Sequence, residues 1–252
     1  MVKFIGKAGE FQKERSVNRR MNAILIFILL MLVVFFVLGF VSAKMSLWWS
    51  LLAAVTAIPV YKISGKLFDK QIRMASLDES GAAGELEILP YLKELPDSFT
   101  VVCDLNFADS FGNIDHLVIG PSGVFAIDVK NWRGTVSADG QGELLFNGQP
   151  TSKPQVRAFT RRVMDLKERL KALTKLDPFI QGIFVFPRTR VEANWGTTGA
   201  VYCMRIEQIT DYITKYHGAN PPSGADISSL VLATEALKKL AGAPRQTGES
   251  VK

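Results

Sequence analysis

Apolar residues concentrate in two long runs near the start of the chain, and beyond them apolar and polar residues alternate in shorter segments. The first run, residues 22–43, carries no charge and is long enough as a helix to cross about 30 Å of hydrocarbon. The second run, residues 46–63, is shorter and has Trp48 and Trp49 near its start, where membrane proteins place an interfacial aromatic belt. Together the two runs predict a transmembrane helical hairpin over residues 22–63.

Basic residues flank this hairpin on both sides, and the positive-inside rule therefore places both of its ends in the cytoplasm. A cleaved signal peptide is the alternative for the first run, but its apolar region is too long and a second apolar run follows it. We predict a two-pass protein of the cell (inner or plasma) membrane, with the lipid bilayer as a partner and with the basic N-terminal segment 1–21 and the domain after the hairpin both cytoplasmic. The flanking basic residues are Lys3, Lys7, Lys13, Arg15, Arg19 and Arg20 before the apolar runs, then Lys62 at the very end of the second run and Lys66, Lys70 and Arg73 after it.

The rest of the chain has the pattern of a mixed α/β domain, which we place at residues 81–241, after a juxtamembrane linker at 64–80 and before a disordered tail at 242–252. Residues 155–173 carry a helical stripe of apolar positions, and both faces of the segment 113–130 are apolar. We therefore expect a sheet that is covered by helices on both faces. The other predicted elements are strands at residues 99–106, 179–186 and 200–205, the last at an edge, and helices at 82–95 with a kink at Pro90, 207–216 and 226–240.

The segment 113–130 reads as a β-hairpin that brings two carboxylates together. Its turn at residues 120–123 is Gly-Pro-Ser-Gly, and a hairpin centred there places Asp115 directly opposite Asp128. Lys130 shares the face of Asp128, because side chains alternate along a strand. Like charges opposite each other destabilise a sheet, so a bound cation would explain the pair. The alternation assigns Leu117, Ile119, Val124 and Ala126 to the carboxylate face, and Ile114, His116, Val118, Phe125, Ile127 and Val129 to the reverse face.

The spacing of Asp115, Asp128 and Lys130 is the pattern of the PD-(D/E)XK nucleases. Ile-Asp-His-Leu-Val-Ile-Gly-Pro-Ser-Gly-Val-Phe-Ala-Ile-Asp-Val-Lys-Asn-Trp-Arg-Gly at residues 114–134 resembles the core of one branch, the nuclease-related domain (NERD) family. The resemblance extends from about residue 81 to about residue 188. Upstream, Gly-Ala-Ala-Gly-Glu, ending at Glu85, is similar to the Gly-x-x-Gly-Glu that opens the first helix of the family.

Two positions depart from the family pattern. The family usually has Glu where Asp128 stands, so the shorter side chain affects where a metal would lie. The family also commonly carries a Gln at the start of the helix after the sheet. Gln155 follows Pro154 there, whereas the spacing of the apolar positions aligns Ala158 with it.

The resemblance implies a restriction-endonuclease-like fold, an α/β domain with a mixed sheet flanked by helices, here preceded by the transmembrane hairpin. It also implies metal-dependent hydrolysis of DNA or RNA at the cytoplasmic face of the membrane, with nucleic acid as a partner. Asp115, Asp128 and Glu85 would hold one or two Mg²⁺ (or Mn²⁺) ions. Lys130 would orient or deprotonate a water or stabilise the developing negative charge, and Gln155 is a further catalytic candidate.

Structural interpretations of the same residues remain open. Asp115 and Asp128 can be rim carboxylates neutralised by Lys130 and Arg133, and Glu85 can compensate the dipole of a helix that starts beside it. At the level of the whole protein, the alternatives to a nuclease are a non-catalytic membrane-tethered module that binds nucleic acid or protein, and a structural membrane adaptor.

Composition narrows these alternatives only in part. Cys103 and Cys203 lie far apart in apolar strands, which favours core thiols over a disulfide or a zinc site. His116 is expected to have a structural role, because it projects to the reverse face. Residues 153–175 contain eight basic and two acidic residues, so a helix there could follow nucleic-acid phosphates or face an anionic membrane.

Overall fold

The chain divides into two compact units. One consists of Phe11–Ala82, and the other joins Met1–Glu10 to Ala83–Lys252. The predicted tail at residues 242–252 lies outside the described residues, except for Gly242 at the end of a helix. The computed structural model describes residues 1–42, 47–106, 112–193, 201–216, 218 and 221–242.

Two long helices form the first unit. Helix α1 is Glu10–Ser42, and helix α2 is Leu47–Glu87, which includes the predicted linker and continues into the second unit. Ion pairs and a ring contact join α1 to α2 in antiparallel order, since early residues of α1 meet late residues of α2. These contacts are Arg19 with Asp78 at 3.1 Å, Arg20 with Glu79 at 2.6 Å, and Phe27 with Phe68 at 6.4 Å between ring centroids.

Helix α1 is the one helix among the described residues that is long and apolar enough to cross a membrane. Its qualifying part is Glu10–Phe36, in which the most apolar 18-residue stretch has a mean hydropathy of 2.1 and is little buried. The second predicted span, residues 46–63, falls largely within the first part of α2, where most side chains lie outside the described ones. The second span therefore stays a prediction.

The second unit is a mixed α/β domain with two sheets. Its strands are β1 Lys3–Ile5, β2 Thr100–Leu105, β3 Ile114–Gly120, β4 Gly123–Val129, β5 Thr135–Ala138, β6 Leu144–Phe146, β7 Gln149–Pro150, β8 Ile180–Phe186, β9 Arg190–Val191 and β10 Val201–Arg205. The larger sheet has the order β1-β2-β3-β4-β8-β10, with β2, β3 and β4 antiparallel and the other neighbours parallel. The smaller sheet has the order β7-β6-β5-β9, which the sequence analysis did not predict.

Helices cover both faces of the larger sheet, which confirms the predicted mixed sheet flanked by helices. These helices are α3 Leu89–Lys93, α4 Gln155–Thr174, α5 Ile209–Lys215 and α6 Gly224–Gly242. Helices α4 and α6 pack on one face around Phe159, Leu166 and Leu230. Helices α3 and α5 pack on the other around Leu92 and Ile213. The strand predicted at the edge of the sheet is β10, and it does lie at an edge.

The hairpin of β3 and β4 has the predicted register. His116 pairs with Ile127 and Gly120 pairs with Gly123, and the pairs between them follow the same offset. Continuing this offset by one step brings Asp115 opposite Asp128. The apolar residues divide between the two faces as predicted, apart from Ile114, which packs in the cluster on the carboxylate face.

A left-handed residue explains the exception at Ile114. Asp104, near the end of β2, has φ +56°, which interrupts the alternation of side chains along that strand. Leu105, the next residue, therefore turns to the carboxylate face together with its partner Ile114. Lys238 of α6 donates to the backbone oxygens of Cys103 and Asp104 and satisfies the carbonyls of this turn.

The N-terminal segment belongs to the domain, although sequence patterns did not predict a strand there. Strand β1 pairs in parallel with β2, with Lys3 opposite Thr100 and Ile5 opposite Val102. Val2 is 5% exposed and packs in the cluster on the reverse face. Gly6 has φ +84°, and a Cβ there would overlap the Lys238 side chain, so glycine is required where the chain leaves the sheet.

The helix predicted at residues 82–95 is wrong in its start and in its continuity. Residues 82–87 are the last turns of α2, and α3 begins after Ile88 with Pro90 in its first turn. Proline is tolerated in a first turn because the missing N–H has no partner there. Glu85 therefore lies at the end of a helix rather than at its start, and the helix dipole cannot explain a carboxylate at that position.

Insertion of β1 into the sheet predicts that Val2 matters for stability. Val2→Asp places a charge at a buried position, and we expect it to lower the free energy of unfolding of the full chain by roughly 2–4 kcal/mol. Lys3→Gln is the matched control, because Lys3 is exposed and its ion pair with Glu235 should contribute about 1 kcal/mol or less. Denaturant unfolding of the three proteins measures the difference. Equal effects of the two substitutions would show that the segment does not pack in the sheet.

Candidate active site

Four carboxylates converge where β2 and β4 end and β3 begins. Asp104, Asp115 and Asp128 come from these three neighbouring strands, and Glu85 comes from the last turn of α2. All four are buried, with exposures of 0% for Glu85, 2% for Asp128, 4% for Asp115 and 6% for Asp104. Gly84 allows this approach, because a Cβ there would lie 2.7 Å from Cβ of Asn131 just after β4.

Asp115 is held by two neighbouring groups. Its Oδ2 accepts a hydrogen bond from the backbone N–H of Val129 at 2.7 Å. The side-chain amide of Asn113 donates to Oδ1 of Asp115 at 3.3 Å and also to Oδ1 of Asp104 at 3.2 Å. Asn113 therefore connects the carboxylates of β2 and β3 without adding a charge.

Asp128 forms two ion pairs. Lys130 Nζ lies 2.6 Å from Oδ1, and Arg162 of α4 places its Nη2 2.7 Å from Oδ2. Arg162 also donates to the backbone oxygen of Asn113 at 2.6 Å. Lys130 lies on the face of Asp128, as the alternation of the strand requires.

Two aromatic rings lie beneath the cations. Lys130 Nζ is 5.5 Å from the centroid of Phe184, and the guanidinium of Arg162 is 5.2 Å from the centroid of Phe159. The two rings are themselves 4.9 Å apart. Because aromatic faces attract cations, this pair of rings helps to fix both positive groups beside Asp128.

The balance of charge pushes the pKa values of the carboxyls apart. Burial, followed by the charges of Asp115 and Asp104, raises the pKa of Glu85 to about 10. Burial and the charge of Asp128 raise the pKa of Asp115 to about 8. Burial alone would also raise the pKa of Asp128, but Lys130 and Arg162 together outweigh it and lower that pKa. Near neutral pH, Glu85 and much of Asp115 therefore keep a proton, whereas Asp128 is ionised.

The N-terminal segment reaches this site. The backbone N–H of Gly9 hydrogen-bonds to Glu85 and partly opposes the rise of its pKa. Gly9 has φ +69°, a conformation that glycine adopts without steric cost. Gly9, which precedes the first unit in the chain, and Glu85, which follows it, thus meet within the second unit.

The structure brings together four of the five predicted site residues: Glu85, Asp115, Asp128 and Lys130. Gln155 lies two helical turns before Arg162, about 10 Å along α4, and its side chain bonds to the backbone of Lys153. His116 is fully buried, and burial lowers its pKa to about 4, which fits the expected structural role.

Sequence reasoning missed Asp104, Asn113 and Arg162. Arg162 and Lys130 neutralise Asp128. The interpretation of Asp115 and Asp128 as rim carboxylates had named Arg133 instead of Arg162. Two signals were available. Asp104 is a charged residue inside an apolar strand, and Arg162 lies on the most basic helix of the domain. Neither signal identifies a partner, because the contact of Arg162 depends on how α4 packs on the sheet and that of Asp104 on the pairing of β2 with β3.

Within the described part of the chain, no group of three or more His, Cys, Asp or Glu side chains is arranged as a ready metal site. The donor set is nevertheless the kind that hard divalent cations prefer, since it offers several carboxylate oxygens on one side of a sheet. Two of these carboxyls have raised pKa values, so a cation can take the place of their protons. The donor set is therefore chemically suited to a divalent cation, while Lys130 and Arg162 are both paired with Asp128.

Residues 80–187 match the family model described as the nuclease-related domain, which agrees with the resemblance inferred from residues 81–188. Comparisons with curated proteins and with solved structures give no significant match.

The raised pKa values predict how stability depends on pH when divalent metal is removed by a chelator. The folded state keeps protons on Glu85 and Asp115 that the unfolded state releases above about pH 4.5. The contribution of these two carboxyls to stability is therefore largest below that pH and falls as the pH rises toward 8, by on the order of 1 kcal/mol per pH unit for each retained proton. We expect Glu85→Gln to flatten this decline in a series of thermal unfolding curves.

Glu168→Gln provides the control, because Glu168 is exposed on α4. It should leave the dependence on pH as it is in the unmodified chain. A decline of the same slope in all three proteins would contradict the assignment of a retained proton to Glu85.

Proposed function

We propose that this chain, which carries a nuclease-related domain at residues 80–187, is a membrane-anchored, divalent-metal-dependent nuclease that hydrolyses phosphodiester bonds of DNA or RNA at the cytoplasmic face. The observation that carries the proposal is the convergence of Glu85, Asp115 and Asp128 with Lys130 at one end of the sheet. These residue types meet there although they lie on three separate elements of the chain.

The proposed metal ligands are Asp115, Asp128 and Glu85, and Asp104 is close enough to share their charge. Bound Mg²⁺ or Mn²⁺ would lower the pKa of a water molecule and neutralise negative charge on the phosphate. The pKa values of Glu85 and Asp115 support this assignment, because both carboxyls favour a bound positive species over the bare ionised form.

Lys130 and Arg162 have complementary roles in the proposal. Lys130 is a compact ammonium that can donate a hydrogen bond to a water or to a phosphate oxygen, and it is the proposed catalytic cation. Arg162 presents a planar guanidinium that is fixed by Asp128, the Asn113 carbonyl and the ring of Phe159. Arg162 therefore positions Asp128, and it keeps that carboxylate ionised when Lys130 turns to the substrate.

A non-catalytic module that binds nucleic acid or protein is the second candidate. The observation in its favour is that both oxygens of Asp128 are already paired with Lys130 and Arg162. A site in which these ion pairs are permanent would bind no metal and would hold the domain together instead. A nuclease assay on the folded, metal-bound chain separates the two candidates, because only the enzyme cleaves nucleic acid.

The position of β1 supports the proposed two-pass topology. Strand β1 precedes α1 in the chain and β2 follows α2, yet the two strands are neighbours in one sheet. They must lie on the same side of any membrane, so the chain between them crosses it an even number of times. If α1 crosses the membrane, the first part of α2 must cross back. The basic flanks favour the cytoplasm for both ends.

This topology predicts that reporters fused at the two ends of the chain give the same answer. A reporter that is active only in the cytoplasm should be active before Met1 and after Lys252. Fusion at a position between α1 and α2 should place the reporter on the opposite side. A different location for the two ends would contradict both the even number of crossings and the pairing of β1 with β2.

The catalytic proposal predicts a specific loss at Lys130. We expect Lys130→Ala to lower the nucleolytic rate by on the order of 100-fold or more, the usual scale for loss of one preorganised charge-stabilising group. The fold and Mg²⁺ binding should survive, because Arg162 still neutralises Asp128. Lys130→Arg should restore little of the rate, since a guanidinium has a different shape and does not release its proton.

Lys215→Ala is the matched control, because Lys215 lies on α5 and pairs with the exposed Asp211. It should cleave mixed DNA and RNA substrates at the rate of the unmodified chain. If a folded, metal-bound chain cleaves neither, or if Lys130→Ala cleaves as fast as the unmodified chain, the nuclease proposal fails. The binding module then takes its place.

A further inference from the structure

Helix α2 presents a cationic face soon after its apolar part. Lys66, Lys70 and Arg73 recur at intervals of four and three residues, so their side chains project from one side of the helix. All three are exposed. Together with Asp69 and Met74 they line a cavity of about 460 Å³.

These three cations differ from the basic residues at the start of α1. Arg19 and Arg20 are paired with the carboxylates of Asp78 and Glu79. No ion pair to Lys66, Lys70 or Arg73 is found among the described residues, and the carboxylate of Asp69 is the negative group that lines their cavity. Three positive charges and one negative charge leave an excess that favours an anionic ligand.

The neighbouring surface of α1 indicates where that anion lies. The contact between Phe27 and Phe68 places Lys66 and Lys70 level with the apolar part of α1. At this level the exposed side chains of α1 are large and apolar, among them Ile24, Leu25, Ile28 and Leu29 with exposures of 48–64%. An apolar surface and a cationic surface at one level of a helix pair match the boundary between the acyl chains and the phosphates of a bilayer.

We propose that Lys66, Lys70 and Arg73 form a binding site for the phosphate of an anionic phospholipid headgroup. The proposal rests on the membrane anchoring proposed above and is independent of nuclease activity. A nucleic-acid phosphate would have the same charge, but nucleic acid does not cover the exposed apolar side chains of α1. A lipid supplies both the phosphate and the acyl chains.

Binding of a short-chain phosphatidylglycerol to the full chain in mild detergent tests the proposal. Phosphatidylcholine of the same chain length, inorganic phosphate and a single-stranded oligonucleotide serve as the other ligands. We expect phosphatidylglycerol to bind most tightly. The triple variant Lys66→Gln, Lys70→Gln, Arg73→Gln should weaken its binding by on the order of 10-fold or more, because each basic residue near an anionic lipid surface contributes severalfold to affinity.

Two further variants make the outcome specific. Lys93→Gln, Arg190→Gln, Lys239→Gln removes the same charge from exposed positions of the second unit and should leave lipid affinity within about twofold of that of the unmodified chain. Asp69→Asn removes the negative charge from the cavity and should tighten phosphatidylglycerol binding, which tests the site even if the triple variant does not fold.

The opposite results would overturn the proposal. Equal affinity for the two lipids, an equal loss in both triple variants, or no gain from Asp69→Asn would show that α2 carries no headgroup site. A loss in the α2 triple variant that is confined to the oligonucleotide would assign the cations to nucleic acid instead. If the chain is recovered in the soluble fraction without detergent, the membrane anchoring itself fails, which is distinct from a membrane-bound chain without lipid preference.

Discussion

The repulsion among four buried carboxylates is the constraint on which the rest of the domain depends. Glu85, Asp104, Asp115 and Asp128 lie within one small region of low exposure, and such a cluster destabilises a fold unless charge is removed or offset. The structure uses both solutions. Lys130 and Arg162 offset the charge of Asp128, while raised pKa values keep Glu85 and part of Asp115 protonated. A bound cation would reduce the repulsion that remains among the carboxylates.

Distant parts of the chain are needed to hold this cluster. Helix α4 supplies Arg162, α6 supplies Lys238 behind the left-handed Asp104, and the N-terminal segment supplies the Gly9 N–H to Glu85. The hydrogen bond from Gly9 is the least expected of these three contacts. The two long helices are in effect inserted into the domain after its first strand, so a fragment that begins after α2 lacks β1 and part of the environment of Glu85.

The sequence predicted the elements whose signals are local. The Gly-Pro-Ser-Gly turn and the two flanking β-rich runs fixed the register of the hairpin, and the apolar stripe of residues 155–173 fixed the face of α4. Strand β1 was not predicted, because the pattern of a three-residue strand is too short to distinguish it from a basic tail. The start of the helix at residues 82–95 was misplaced because apolar and basic stretches upstream looked like separate elements, whereas the backbone continues as one helix from Leu47.

The site residues that were predictable are likewise those that depend on local sequence patterns. The opposition of Asp115 and Asp128 follows from the hairpin register alone, and Lys130 follows from alternation. The partnership of Arg162 with Asp128 spans 34 residues and depends on packing between α4 and the sheet, which no local pattern encodes. The same reason applies to Asn113, whose amide connects two strands only after their register is set.

Calorimetric titration of the full chain with Mg²⁺ in buffers of different ionisation enthalpy tests the central claim most directly. If a cation replaces protons on the clustered carboxyls, binding near pH 7 should release about one proton or more, so the apparent enthalpy changes with the buffer. Asp115→Asn, which removes one of these acids, should release fewer protons and bind Mg²⁺ more weakly. Binding without proton release, or equal affinity and release in both proteins, would contradict the account.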